Sequence, residues 1–130
     1  PLLGQVVAEA SIEAPRSYAI NTYEQYIERR NCLVDELNKL PGVYSPIPMG
    51  AFYTVARLPI DDSDKFCEWC LTDFEYEGET IMMAPASGFY SEEGYGKNEV
   101  RIAYAIDKQD LKRAIFLLGK ALEQYPGRVR

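Results

Sequence analysis

Asn98-Glu99-Val100-Arg101-Ile102-Ala103-Tyr104-Ala105-Ile106 is the stretch that decides the fold. Val100, Ile102, Tyr104 and Ile106 fall on every second position, with Arg101, Ala103 and Ala105 between them. A strand turns successive side chains to opposite faces, so a period of two places one set on a core and the other away from it. Glu99 to Ile106 therefore reads as a strand. Asp107 follows as a helix cap, and Leu111, Ile115, Leu118, Leu122 and Tyr125 then step by four, three, four and three before Pro126-Gly127. That spacing lines one face of a closing helix.

Working back from the strand, Pro85 to Asn98 reads as a long loop with three glycines and two tyrosines, a length often functional inside a compact domain. Thr80 to Met83 reads as a brief buried strand. Phe66, Cys67, Cys70, Leu71 and Phe74 form an apolar stripe at helical spacing, and Asp61, Asp62 and Ser63 offer caps ahead of it. Ala51 to Leu58, rich in aromatic and β-branched residues and closed by Pro59, reads as a strand. Tyr23, Tyr26, Ile27, Arg30, Val34, Leu37 and Leu40 recur at three- and four-residue steps, so Tyr18 to Leu40 reads as one amphipathic helix ended by Pro41-Gly42. Residues 1–17, punctuated by Pro1, Gly4 and Pro15, read as irregular. The order α-β-α-β-β-α predicts an α+β two-layer sandwich, a small mostly antiparallel sheet covered on one face by helices.

With 130 residues, 47% of them hydrophobic, the chain has the length and apolar content of one domain. Its 20 acidic residues outweigh 14 basic ones for a net charge of -6, which leaves no electropositive footprint for nucleic acid. The complete lack of histidine removes Ser-His-Asp and Cys-His triads and most zinc sites. No segment suits a bilayer or a secretory leader, and three cysteines in a sparse, odd set predict a reducing, cytoplasmic setting. Cys67 and Cys70 have the spacing of a redox pair, but both fall on the apolar stripe of a helix interior, where cysteine is ordinarily core. The acidic pairs Asp61-Asp62 and Glu92-Glu93 read as solvated caps. Gly88, Gly94 and Gly96 do not form a phosphate-binding pattern.

Arg101 stands apart. A guanidinium in the middle of an otherwise apolar strand is costly to bury unless an anion or a solvent window serves it. Its same-face neighbours Ala103 and Ala105 are small, leaving room for a planar ligand, and the arginine fork suits bidentate carboxylate recognition. Chemistry alone leaves open a structural ion pair, an exposed edge position and a ligand site.

Pro48-Met49-Gly50-Ala51-Phe52-Tyr53, then Met82-Met83-Ala84-Pro85, then Asn98 to Ala105 resemble, in order and spacing, the C-terminal small domain of class I/II, fold-type I aminotransferases dependent on pyridoxal 5'-phosphate, the aspartate aminotransferase-like enzymes. The resemblance covers nearly the whole chain but only the last third of such an enzyme. It implies residues 1–17 as a severed lead-in from a missing large domain, 18–125 as the small domain and 126–130 as a tail. It implies Arg101 as the residue that binds the substrate α-carboxylate and Phe52 as a lining residue of the same pocket. The Schiff-base lysine and the groups that hold the cofactor belong to the family's large domain. The resemblance thus implies an amino-group transfer between an amino acid and a 2-oxo acid by a homodimeric full-length enzyme. The fragment alone is expected to be inactive and to bind no pyridoxal phosphate. Where the family commonly has Pro-Gly, this chain has Pro85-Ala86, which leaves the path of the 85–98 loop open. The alternative is a free-standing carboxylate-binding or interaction module without catalysis.

Overall fold

The computed structural model describes residues 2–129. In chain order the elements are α1 (Leu2–Ile12), α2 (Arg16–Leu37), β1 (Tyr53–Arg57), α3 (Ser63–Thr72), β2 (Ala84–Pro85), a 3-10 turn (Ser87–Phe89), β3 (Glu99–Ala103) and α4 (Lys108–Gln124). The diagnostic strand is the middle of the sheet, which runs β1-β3-β2 with both pairings antiparallel. The period-two pattern has the expected consequence. Val100 and, across the sheet, Thr54 and Ala56 turn inward and are buried, while Tyr53, Arg57 and Ala103 turn outward.

The inward face meets the helices. Val100 and Ala56 share one core with Leu33 and Leu37 of α2, Phe66 and Cys70 of α3, and Leu111, Ile115, Leu118 and Leu122 of α4. Fully burying one such side chain is worth about 1.5–3 kcal/mol, so this layer holds the sheet flat against the helices and leaves its other face open. The α+β two-layer arrangement expected from the sequence is thus the observed one. Caps set the helix starts: Asp62 accepts from the backbone N–H groups of Asp64 and Lys65, and Asp107 from those of Gln109 and Asp110. The latter two bonds hold the Asp107 carboxyl below its usual range.

Four local expectations need correction. Residues 1–17 are not irregular within the described part: Leu2–Ile12 is helical, with no residue buried. Leu2, Leu3, Val6 and Val7 recur at three- and four-residue steps, a short pattern that Gly4 and Pro15 obscure. Pro15 instead sits at the cap of α2, with φ -56° and ψ 136°, where its missing N–H costs nothing. Pro1 lies outside the described residues. The lead-in thus adds a fourth α-helix to the order read from sequence.

Thr80 to Met83 carries no ladder, and only Ile81 of the four is buried. The pairing falls on Ala84–Pro85, and proline, having no N–H to give, ends it there. The strand read as Ala51 to Leu58 shortens to Tyr53–Arg57, because Ala51 adopts φ 62° and breaks the extended run. Likewise β3 stops at Ala103. Tyr104 still faces the core, but Ile106 is 48% exposed rather than inward-facing, since the chain has already turned toward the Asp107 cap.

The C-terminal tail is pinned rather than loose. Val129 donates its N–H to Pro59 O at 3.0 Å, Arg128 bridges Ile60, and the Tyr125 hydroxyl meets Asp61 Oδ1 at 3.0 Å. Burial, with that Asp61 contact, pushes the Tyr125 phenol up to about 12.

Candidate carboxylate site

Arg101 lies at the centre of the sheet's open face. On one side its register partner is Val55 of β1, and on the other Ala84 of β2. Ala103 continues the same face. Small neighbours leave the guanidinium half-buried at the surface of a flat platform. Two aromatic rings flank it. Its guanidinium carbon lies 5.3 Å from the ring centre of Tyr53 and 4.8 Å from that of Phe89, within the range at which a cation is drawn to a π face.

Among the described residues no carboxylate lies within 4.0 Å of Arg101, and its side chain makes no hydrogen bond. The acid closest to it in sequence on that face, Glu99, is already engaged: it accepts the Tyr90 hydroxyl and lies 3.7 Å from an Nη of Arg57. Of the readings left open by chemistry, a structural ion pair within the described residues is therefore removed. What remains is a planar fork of donors facing outward.

Phe52, the second expected site residue, is 55% exposed and immediately precedes β1. Its ring meets that of Tyr53 edge-on, centroids 5.8 Å apart at 87°. The structure thus brings Phe52 to Arg101 through Tyr53, not by direct contact. The turn bearing it is held by Tyr104, whose N–H donates to Phe52 O at 2.9 Å and whose hydroxyl donates to Ala51 O at 3.1 Å.

Sequence reading missed Tyr53 and Phe89. Tyr53 shares its face with Val55 by strand parity, and that signal was in the sequence. Phe89 was not findable, because its place depends on the path of the 85–98 loop. That loop is tied down at several points: Ala86 N–H to Glu99 O at 2.9 Å, Leu58 N–H to Asn98 O at 2.8 Å, and Ser63 Oγ to Gly96 O at 3.1 Å. Gly96, at φ 71°, lets the loop close, since a Cβ there would come within 2.6 Å of the Tyr90 ring and 2.9 Å of the Ala86 carbonyl carbon.

A hollow of about 520 Å³ lies elsewhere, between the Thr80–Met83 segment and α4, lined by Ile81, Met83, Ile102, Leu111 and Leu118 among others. Its walls are mostly apolar, with Glu79 and Asp110 also lining it, and its arginine, Arg113, is held by Glu77 and Glu79. It does not suit a carboxylate. Arg101 is therefore the candidate on chemistry rather than on cavity size.

The cysteine pair is core. Cys67 and Cys70 are both buried free thiols, and burial pushes them up to about 11 and about 12. Thiolate is the reactive form, so at pH 8 alkylation should modify the half-exposed Cys32 first and spare the other two until the chain unfolds. Rapid labelling of all three in the native chain would contradict this. The same burial has a linkage consequence. Thiols and phenols that resist ionisation in the folded state ionise near pH 9–10 once unfolded, so the unfolded chain holds fewer protons as pH rises. Stability contributed by Cys67, Cys70 and Tyr125 is complete below about pH 9 and is lost on approach to pH 12. The melting temperature should fall monotonically across that interval, and a flat profile there would refute the assignment.

No family model matches the chain. It is similar to an aspartate aminotransferase of Pyrococcus horikoshii, 36% identical over 102 residues, covering 77% of this chain and 24% of the relative. Its fold is similar to the solved aromatic aminotransferase of Pyrococcus horikoshii OT3, with a TM-score of 0.69 and 26% identity over 88% of this chain and 30% of that one. It is also similar to LysN, the α-aminoadipate aminotransferase of Thermus thermophilus, solved with N-(5'-phosphopyridoxyl)-L-leucine: TM-score 0.77, 21% identity, 95% of this chain and 31% of that one. The chain therefore spans about a quarter to a third of the length of the proteins it matches. By sequence and by fold together, the relatives of this chain are aspartate aminotransferases and its structural neighbours are aminotransferases, each matched over only part of its length.

Proposed function

We propose that this chain serves an aminotransferase as its small domain and that Arg101 binds the α-carboxylate shared by the amino-acid and 2-oxo-acid substrates. The observation that carries the reading is the half-buried guanidinium on the central strand, without an anionic partner among the described residues. A planar, permanently charged fork grips a carboxylate at two points and so fixes its direction as well as its place. Orientation of that kind is what a substrate needs before the bonds at its Cα can be aligned for reaction. Phe52 lines the side of the same pocket.

Pyridoxal phosphate supplies the electron sink for amino-group transfer when it is bound. The chain's own residues do not fit it. The positions around Arg101 (Val55, Ala84, Ala103, Tyr53 and Phe89) include no lysine. Lys39, Lys108 and Lys120 are engaged with Glu36, Glu28 and Glu123, and Lys65, Lys97 and Lys112 stand exposed on the surface. We assign the cofactor, its lysine and its phosphate-holding groups to a large domain of a homodimeric full-length enzyme. The phosphopyridoxyl ligand of the Thermus structure and the partial coverage of every relative named above support that division. The three unpaired thiols fit a cytoplasmic setting, and among the described residues no helix is long and apolar enough to cross a membrane.

Two measurements test the proposal. The chain alone, mixed with pyridoxal phosphate and treated with borohydride, should acquire no specific pyridoxyl adduct and should show no transaminase activity. A stoichiometric adduct at one lysine would overturn the division of labour. In the full-length enzyme, Arg101→Ala should raise KM for amino acid and oxo acid alike, because both carry the group it binds.

A further inference from the structure

We infer that Tyr53 and Phe89 are positioning residues that clamp the Arg101 guanidinium and aim its fork at the carboxylate, an inference that rests on the reading of Arg101 proposed above. The two rings reach the same carbon, at 5.3 Å and 4.8 Å, from elements on opposite sides of β3. Tyr53 comes from β1, and Phe89 from the turn that follows β2. A guanidinium directs all five of its N–H groups within its own plane, whereas a ring attracts the cation through its π face and takes up none of those donors. A clamp made of rings therefore holds the charge in place while leaving the donor edge free. A carboxylate partner would hold it equally well but would occupy the edge. The long arginine stem would otherwise be free to sample several rotamers, and restricting it beforehand removes that entropy from the cost of binding.

The surroundings are arranged to keep the clamp closed. Glu99, two residues along the same strand and face, is drawn off by Tyr90 and Arg57, so it does not compete for Arg101. Phe89 is fixed by its loop, where its own N–H donates to Ala86 O at 3.0 Å. The Ser87 hydroxyl, two residues before it, is tied to Asp64 at the start of α3. Phe89 is 63% exposed and Tyr53 39%, so neither ring is core, and the fold itself gives no reason for two aromatics to stand on an open face.

The test is a set of variants in the full-length enzyme. Phe89→Leu and Tyr53→Leu should each raise KM for both the amino acid and the oxo acid by about two- to fivefold, the strength of a partly exposed cation–π contact. Phe89→Tyr and Tyr53→Phe, which keep the rings, should stay within about twofold of wild type. The decisive readout is coupling. In an Arg101→Ala background Phe89→Leu should change kcat/KM by less than about twofold, because the group it positions is gone, whereas a merely structural ring would add its own full effect. Unchanged KM in both Leu variants, or full additivity with Arg101→Ala, overturns the clamp while leaving Arg101 as the carboxylate residue. Near-wild-type activity of Arg101→Ala itself overturns the underlying reading instead. The two rings sit on separate elements, so a folding failure in one variant leaves the other to decide.

Discussion

Replacing Arg101 by alanine in the full-length enzyme should lower kcat/KM by at least about thirtyfold. Truncating one member of a desolvated, hydrogen-bonded charge pair costs about 2–5 kcal/mol, and the lower end of that range already corresponds to thirtyfold. The contrasting assignment, a surface arginine in a solvated ion pair, is worth about 0–1 kcal/mol and would cost less than about sixfold. The two ranges do not overlap, so steady-state kinetics with folding checked separately decides between them. Arg101→Lys should fall in between. Lysine keeps the charge but loses the planar two-point grip, and because that grip aligns the substrate, part of the deficit should appear in kcat rather than only in KM. The full-length Arg101→Ala enzyme retaining near-wild-type kcat/KM would remove the only residue of this chain assigned to substrate binding through its charge.

The largest effect on stability is expected from Phe66→Ala. Phe66 is fully buried, stacks with Trp69 at 6.3 Å and 20°, and meets Tyr125 edge-on at 4.9 Å. It therefore joins α3 to the end of α4, and through Tyr125 and Asp61 to the pinned tail. Excavating a buried phenylalanine costs about 3–5 kcal/mol, a large share of the roughly 5–15 kcal/mol that holds a domain together. For a chain of this size the melting temperature should drop by roughly 10–20 °C. Phe52→Ala makes a direct comparison. With Phe52 more than half exposed and its ring meeting Tyr53 edge-on, the substitution should cost less than about 1 kcal/mol of stability, so any loss of activity it causes is a binding effect. A Phe66→Ala melting temperature within about 3 °C of wild type would show that the contact between α3 and the end of α4 contributes little to the fold.

Local chemistry made much of this legible from sequence. Period two in Glu99–Ala103 and heptad-like spacing in Lys108–Gln124 set the inward faces of β3 and α4, because side-chain direction along a strand or helix is a property of the backbone repeat. Asp62 and Asp107 were readable as caps because an aspartate ahead of a helical stripe satisfies N–H groups that nothing else in the helix can. The burial of Cys67 and Cys70 followed from the same stripe, and the lone Arg101 on an apolar strand was visible for the same reason. The misreadings fell where local signals are weak or where a neighbour decides. Leu2–Ile12 offers only three turns of pattern, broken by Gly4. Thr80–Met83 has strand-like residues but no partner at its own register, and a ladder needs two strands.

Tertiary structure alone decided what surrounds Arg101. Strand parity already put Tyr53 on the face of Val55, but only the antiparallel register of β1 and β3 laid that face against Arg101. Phe89 is 12 residues away along the chain from Arg101 and reaches it because Gly96, Ser63, Ser87 and Glu99 fold the intervening loop back over the sheet. The diversion of Glu99 toward Tyr90 and Arg57, which leaves Arg101 facing outward, is likewise a matter of packing. Sequence specifies which groups a strand presents and to which side. Which of them meet depends on register and loop path, and those are settled only when the whole core closes.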